Sequence, residues 1–257
     1  MHLDLAGRTA LVLGGTRGLG LACATALAAE GVRVLLNGRD RAHGSAVASR
    51  LENAAFVPGD VGIVAERSAL IDAVKSIAEP DIIVTNAGGP PAGPFESTDA
   101  AMWRKAFETS IAGPLEVVRA FLPSMRLRRF GRIVNVTSFV VKELYPNMSL
   151  SNSVRVGLTG AMGALAREVA ADGITINGLL PGLIDTGALE RVIRDRMKRS
   201  DQSEAEVRVQ MEAGIPMGRL GVASDFGPLC AFIASPLAAY ITGQNICVDG
   251  GLTKNVI

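Results

Sequence analysis

Seven short apolar runs punctuate the chain, at Thr9 to Leu13, Val32 to Asn37, Ala54 to Pro58, Asp81 to Thr85, Arg132 to Val136, Thr175 to Leu180 and Asn245 to Val248. Most are rich in β-branched residues, which predicts seven strands. Between most of them lie polar-apolar segments of helical length, including Ala65 to Glu79, Ala101 to Leu127, Ser151 to Ala171 and Ser224 to Ala234. Strands that alternate with helices pair in parallel, because each crossover returns along one face of the sheet. The predicted fold class is therefore α/β: a doubly wound, seven-stranded, mostly parallel sheet with helices on both faces. In such sheets the ligand sits beyond the carboxyl ends of the strands, so the residues just after each run are the ones to inspect.

Composition narrows the picture without changing it. No linker, low-complexity stretch or internal repeat interrupts the alternation, so residues 1–257 are expected to form one domain. Its 26 lysines and arginines nearly balance 25 aspartates and glutamates, which gives no reason to expect nucleic acid or an anionic membrane as partner. A small-molecule substrate is expected instead. The start of the chain carries Asp4 and no apolar signal region, and no run approaches the length of a membrane span, so a cytoplasmic location is expected. Cys23, Cys230 and Cys247 lie far apart in apolar surroundings and read as core thiols. With only His2 and His43 besides, no metal site is expected.

The first run carries the clearest chemistry. TALVLGGTRGLG, from Thr9 to Gly20, is a strand that breaks into the spaced glycines Gly14, Gly18 and Gly20 before an Ala-rich helix, Leu19 to Glu30. Glycines at that spacing let a strand turn sharply into a helix, bring bare backbone against a pyrophosphate and aim the helix N-terminus at its charge. The same spacing also suits a tight turn with close helix packing, and the position after a strand favours the dinucleotide reading.

After the later runs come Asn37, Gly38 and Arg39; Gly59, Asp60 and Val61; Asn86, Ala87, Gly88 and Gly89; Thr137 and Ser138; and Pro181, Gly182 and Thr186. Six motifs fall in order: GGTRGLG, GDV at 59 to 61, TNAG at 85 to 88, GRIVNVTS at 131 to 138, ITINGLLPGLIDT at 174 to 186, and GQNICVDGG at 243 to 251. Together they resemble the short-chain dehydrogenase/reductase family over essentially the whole chain, and most of all its 3-oxoacyl carrier-protein reductase-like branch. The resemblance implies a Rossmann domain and a dinucleotide held by Gly14, Thr16, Arg17, Gly18, Leu19, Gly20, Asn37, Arg39, Asp60, Val61, Asn86, Ala87, Gly88, Arg155, Pro181, Gly182, Ile184 and Thr186. It also implies a homotetramer, with the C-terminal tail and the long helices at the subunit contacts.

Family members that use NAD carry an acid at the end of the second strand. Here Asn37 is taken to stand at that position, with Arg39 two residues on and Arg17 inside the glycine loop. A guanidinium grips a phosphate bidentately, so the resemblance implies NADP(H) rather than NAD. An ordinary solvated role for Arg39, and loop capping for Arg17, are the simpler alternatives. Asp60 is expected on the adenine amine, and Val61 on its ring.

The catalytic residues depart from the family pattern. A tyrosine donates the proton there, a lysine four residues later lowers its pKa and holds the ribose, a serine upstream orients the carbonyl, and an asparagine completes a relay. In this chain the upstream serine is Ser138, the tyrosine position holds Ser151, the lysine position Arg155 and the relay position Ser110. Neither Tyr145 nor Tyr240 has lysine four residues on, and the position used by enoyl reductases is Met148. Halohydrin dehalogenases carry arginine with a tyrosine and a lost glycine loop, the reverse of this chain. A phenol has a pKa of about 10 and an aliphatic hydroxyl is a far weaker acid, so Ser151 is a poor donor. Tyr145 is the one nearby phenol, or simply a packed loop residue. Arg155 keeps the charge and hydrogen-bonding capacity, without a removable proton.

The Arg- and Glu-rich segment near residues 187–213 reads as a lid over the substrate, or as a solvated charged helix. Arg126, Arg128 and Arg129 suit an acidic acyl carrier, but Asp172 stands where a second basic site is needed, which argues against that partner. The expected function is an NADP(H)-dependent oxidoreductase acting on a carbonyl or alcohol, with Ser138 orienting the oxygen and Ser151, Arg155 or water replacing the usual donor. The alternative is a catalytically impaired NADP(H)-binding sensor or partner subunit.

Overall fold

The computed structural model describes residues 2–254. All seven runs form strands: β1 Thr9–Val12, β2 Arg33–Gly38, β3 Ala54–Pro58, β4 Ile82–Asn86, β5 Gly131–Val136, β6 Ile174–Pro181 and β7 Asn245–Val248. They make one sheet in the order β3-β2-β1-β4-β5-β6-β7. Every pairing is parallel, so the sheet is wholly rather than mostly parallel. The order follows from two windings: β1 to β3 build outward on one side, and the chain then returns to place β4 on the other side of β1.

Both faces are apolar because both are covered. Ala10 and Val12 enter one core with Cys23, Leu27 and Phe226, whereas Leu11 and Leu13 enter the opposite core with Val117, Phe121 and Met162. This is the strand period of two, with each side chain finding a helix layer on its own side. Helices α1 (Gly18–Ala29), α2 (Arg41–Ala48), α3 (Val64–Ile77), α4 (Ala100–Phe107), α5 (Gly113–Arg128), α6 (Ser149–Val169), α7 (Gly187–Arg199), α8 (Glu204–Ala213) and α9 (Ala223–Ile233) complete the fold. No helix among the described residues is long and apolar enough to cross a membrane. The cysteines are free thiols; Cys23 and Cys230 are buried in the same core, and Cys247 is half-buried.

The segment expected as one helix from Ala101 to Leu127 is interrupted. Between α4 and α5 the residues Glu108–Ala112 form a π turn. Pro114 explains it, because it has no N–H to offer the Ser110 carbonyl in the ordinary i to i−4 ladder. The turn is held from outside by Arg67, a buried guanidinium on α3. Its Nε donates to Glu116 Oε2 at 2.6 Å, and its Nη1 to Val61 O at 2.7 Å and Glu108 Oε2 at 3.3 Å.

Helix α9 packs on α1, the helix that follows the glycine loop, and its start is fixed by charge. Asp225 accepts from Val222 N at 2.9 Å and takes a fork from Arg219 at 2.7 and 3.1 Å. The Arg219 hydrogen bonds, then that of the backbone, hold the Asp225 carboxyl down at about 2. A depressed carboxyl stabilises the fold fully above its ordinary value of 3.8 and loses that contribution as the pH falls through about 2. Arg219→Ala should move the Asp225 titration, followed by carboxyl NMR, upward toward 3.8.

Candidate active site

The carboxyl ends of β1 and β4 part company at the centre of the sheet, and the glycine loop fills the gap. Gly14 and Gly18 adopt φ of 58° and 54°, the left-handed region that favours glycine. A Cβ on Gly14 would lie 2.7 Å from Asn86 O, and one on Gly20 would collide with Gly14 O and come within 2.7 Å of Asn86 Nδ2. The loop is therefore as tight as a cradle for a pyrophosphate requires. Asn86 locks it by donating from Nδ2 to Gly14 O at 3.2 Å. Across the crevice, Thr186 begins α7 with its side chain 3.7 Å from the position of a Cβ on Gly18. Leu19 packs half-buried against the core, Pro181 and Ile184 are buried, and Gly182 N donates to Val248 O at 3.0 Å.

At the far end of the crevice the structure corrects one expectation. Asn37 is buried, and its Nδ2 donates to Val57 O at 3.2 Å and Gly59 O at 3.0 Å. Its amide ties β2 to β3 and cannot take the place of a ribose-binding acid. Gly38 is the residue that faces the loop, since a Cβ there would lie 3.0 Å from Thr16 Cγ2. The sequence carries the signal in the GlyArg pair at 38 and 39, one place further on. Around this open corner stand two exposed guanidiniums: Arg17 pairs with Asp40 at 3.3 Å, and Arg39 with Asp60 at 3.6 Å. The other Asp60 oxygen accepts from Gly62 N at 2.8 Å, and Val61 is buried beside it.

The chemical end lies past β4 and β5. Ser151 sits in the first turn of α6 and is 4% exposed. One turn later Arg155 folds back, its Nε donating to Ser151 Oγ at 3.2 Å and its Nη1 to Thr137 O. Ser138 follows Thr137 and caps a short 3-10 turn, accepting from Val140 N at 3.3 Å. Ser110, on the π turn, lines one cavity with Thr85, Ala87, Thr137 and Arg155. Arg155 thus joins Ser151 to the end of β5 and shares a cavity with Ser110, while Ser138 lies next along the chain from Thr137. Gly88 is exposed, and a Cβ on Gly89 would lie 3.1 Å from Arg155 Nη2. Burial pushes the Arg155 guanidinium down to about 10, so it stays charged at neutral pH. Tyr145 is turned into an edge-to-face contact with Phe139, centroids 5.7 Å apart, as a packed loop residue would be.

Helices α7 and α8 occupy the segment expected as a lid. They share a small core of Leu189, Ile193, Val207 and Met211, and a capping box of Ser203 and Glu206 starts α8. Arg208 ties α8 to Asp185 at 3.2 Å. The arginines considered for an acyl carrier are engaged internally: Arg126 with Asp172 at 3.0 Å, Arg128 with Asp81 at 3.2 Å, and Arg129 with Ala171 O at 2.7 Å.

A strand-to-helix glycine cradle at a switch point, with polar side chains gathered beyond the next two strands, defines a nucleotide-dependent α/β oxidoreductase. A family model described as enoyl-(acyl carrier protein) reductase matches residues 14–253. The NADPH-dependent reductase BacG of Bacillus subtilis is 29% identical over 256 residues, covering 97% of this chain and 99% of its own. The 3-oxoacyl-[acyl-carrier-protein] reductase FabG of Haemophilus influenzae is 33% identical over 250 residues, covering 96% and 98%. Among solved structures, L-sorbose reductase of Gluconobacter frateurii, complexed with NADPH and L-sorbose, superposes with a TM-score of 0.94 at 25% identity, covering 100% of both chains. The chain belongs to the short-chain dehydrogenase/reductase family, in its 3-oxoacyl-[acyl-carrier-protein] reductase-like branch, and is an oxidoreductase.

Gly20→Ala should force the Gly14 turn apart. Overpacking of this kind costs about 1–3 kcal/mol, so the thermal midpoint should fall and fluorescence titration should show adenine dinucleotide binding lost.

Proposed function

We propose that this chain transfers hydride between NADP(H) and a small carbonyl or alcohol, using a serine-arginine pair where its family uses tyrosine and lysine. The observation that carries the proposal is the hydrogen bond from Arg155 Nε to Ser151 Oγ. Because that oxygen accepts from a cation, the hydroxyl proton of Ser151 is left for another acceptor, and the alkoxide character of the oxygen is favoured. A substrate oxygen held between Ser138 Oγ and Ser151 Oγ meets two hydroxyl donors. NADPH, when bound, supplies the hydride. The proton reaches the substrate oxygen through Ser151 Oγ, which takes one from water as it gives one up, so Ser151 ends the cycle neutral. Arg155 does not yield its proton; it holds Ser151 and offers Nη2 to ribose hydroxyls.

The cradle at Gly14, Gly18 and Gly20 fits the pyrophosphate, and Gly38 with Arg17 and Arg39 fits a ribose phosphate rather than a free diol. In this reading Asp60, Val61, Asn86, Ala87, Gly88, Pro181, Gly182, Ile184 and Thr186 hold the rest of the dinucleotide. Residues 1–257 act in this reading as one catalytic domain, with α7 and α8 as the lid. Exposed Phe107 and Val156 support assembly as a homotetramer through the long helices. The engaged state of Arg126, Arg128 and Arg129 argues against an acyl carrier as partner. The relatives named above are reductases, which gives the sensory alternative no support.

Two experiments test the reading. Arg17→Ala and Arg39→Ala should each weaken NADPH about 10- to 100-fold, the value of a charge-assisted hydrogen bond, while NADH affinity changes little. The double change Ser151→Tyr with Arg155→Lys should raise kcat on a panel of ketones and aldehydes by about 10²-fold or more, the usual contribution of a positioned general acid, with NADPH affinity held. Wild-type turnover already near about 10 per second would show that Ser151 is no handicap.

A further inference from the structure

We propose that Arg155, Thr137 and Ser110 form a site for one small monovalent anion, a carboxylate oxygen or a halide-sized ion, at the floor of the cleft; this rests on reading that cleft as the reaction site. Of Arg67, Arg132 and Arg155, three guanidiniums drawn into the fold, Arg155 has the fewest acceptors among the described residues. Arg67 faces two carboxylates. Arg132 donates to the carbonyls of Ser235, Gly131 and Gly173 and lies 4.2 Å over the Phe130 ring. Arg155 has one hydroxyl and one carbonyl, and no carboxylate within ion-pair distance among the described residues. A guanidinium has five N–H donors, so three on Arg155 remain unspent in this structure; with Nη2 on the ribose hydroxyls of a bound dinucleotide, the second N–H of Nη1 is still left for an anion.

A second observation is independent of the arginine. Thr137 Oγ1 is buried with no hydrogen-bond partner among the described residues, and it lines the same cavity as Arg155. Leaving a buried hydroxyl unpaired costs about 1–3 kcal/mol, so the cavity is built for something polar. The Ser110 hydroxyl, on a residue 9% exposed, makes no hydrogen bond among the described residues either and completes the wall. The cavity measures ≈ 20 Å³, room for one atom-sized ligand. Its polar lining offers a cation and three hydroxyls, counting Thr85, of which the Thr85 proton is already given to Asn135. Donors thus outnumber acceptors around a net positive charge. The adjoining helix α6 adds to the imbalance, with 21 residues and no acid in its first turn.

Why the charge stands alone follows from the two substitutions taken together. In the family the cation at this position faces a phenol that can ionise. Here it faces Ser151, whose hydroxyl does not ionise near neutral pH, so a counter-charge has to come with a ligand. Two sources share this chemistry: the carboxylate of an oxo-acid substrate, or a free inorganic anion.

Bromide NMR line width, titrated with the full chain at fixed ionic strength set by a bulky sulfonate buffer, tests the site without cofactor or competing carboxylate. The wild type should broaden the bromide line, Arg155→Met should weaken binding about tenfold or more, and Thr137→Val should weaken it less. Arg155→Lys should retain part of it, and an unchanged thermal midpoint and far-UV circular dichroism of each variant show that its fold is intact. A second arm compares 2-oxobutanoate with 2-butanone as substrates. Preference for the acid by tenfold or more, with bromide competing, supports the site with substrate as the source; bromide binding that leaves butanone reduction uncompeted supports it with a free ion. Bromide line widths that do not respond to the protein, or respond equally in Arg155→Met, overturn the proposal. NADPH binding and ketone turnover in the same samples keep that result separate from a failure of the proposed function.

Discussion

The structure hangs on the reversal of strand order at β1. Because β1 pairs with β2 on one side and β4 on the other, the loops leaving their carboxyl ends diverge and open a crevice there. A crevice between two strand ends would be loose without a tie, and Asn86 supplies it by holding the Gly14 carbonyl from the end of β4. The same carbonyl is what a Cβ on Gly20 would strike, so one contact fixes strand, loop and helix together. The whole dinucleotide cradle is a consequence of closing that gap with backbone instead of side chains.

Beyond β5, helix α6 brings a hydroxyl and a guanidinium together. Ser151 and Arg155 are one helical turn apart, so they meet on the same face of α6 as any such pair does. Arg155 reaches the Thr137 carbonyl at the end of β5 and approaches Gly89 after β4, which only a side chain of that length does from α6. The π turn matters for the same reason. Pro114 widens the helix where Ser110 lies, and Arg67 fastens that widening to Val61 after β3.

Much of this was legible in the chain. The seven strands and the parallel order follow from apolar runs separated by helical stretches, a pattern that two buried faces impose on every strand. The meeting of Ser110, Thr137, Ser151 and Arg155 was approached only through resemblance, because no spacing rule brings residues from a π turn, a strand end and a helix start together. What escaped was direction and interruption. Asn37 and Gly38 are neighbours in one strand, so their sides are opposite, and a register error of one residue exchanges a structural amide for the open corner. The π turn escaped because Pro114 also suits the first turn of an ordinary helix. The empty hydroxyl of Thr137 escaped because satisfaction of a polar group is a property of its neighbours in space.

The ion pairs at the open corner bear on how a nucleotide would enter. Arg17 and Asp40 are both exposed, and the Arg39 side chain is 80% exposed, so these pairs add little to stability and break at little cost. Their effect is to hold two guanidiniums near the corner before any ligand arrives. A ribose phosphate brings three acceptor oxygens and outcompetes a single exposed carboxylate for each fork. The exchange at Arg39 has a further consequence, since its present partner is Asp60, the carboxylate expected on the adenine amine. Under the proposed NADP(H) reading, a phosphate seated on Arg39 would release Asp60 for the adenine, coupling the two ends of the adenosine moiety through one weak ion pair that a diol would leave closed.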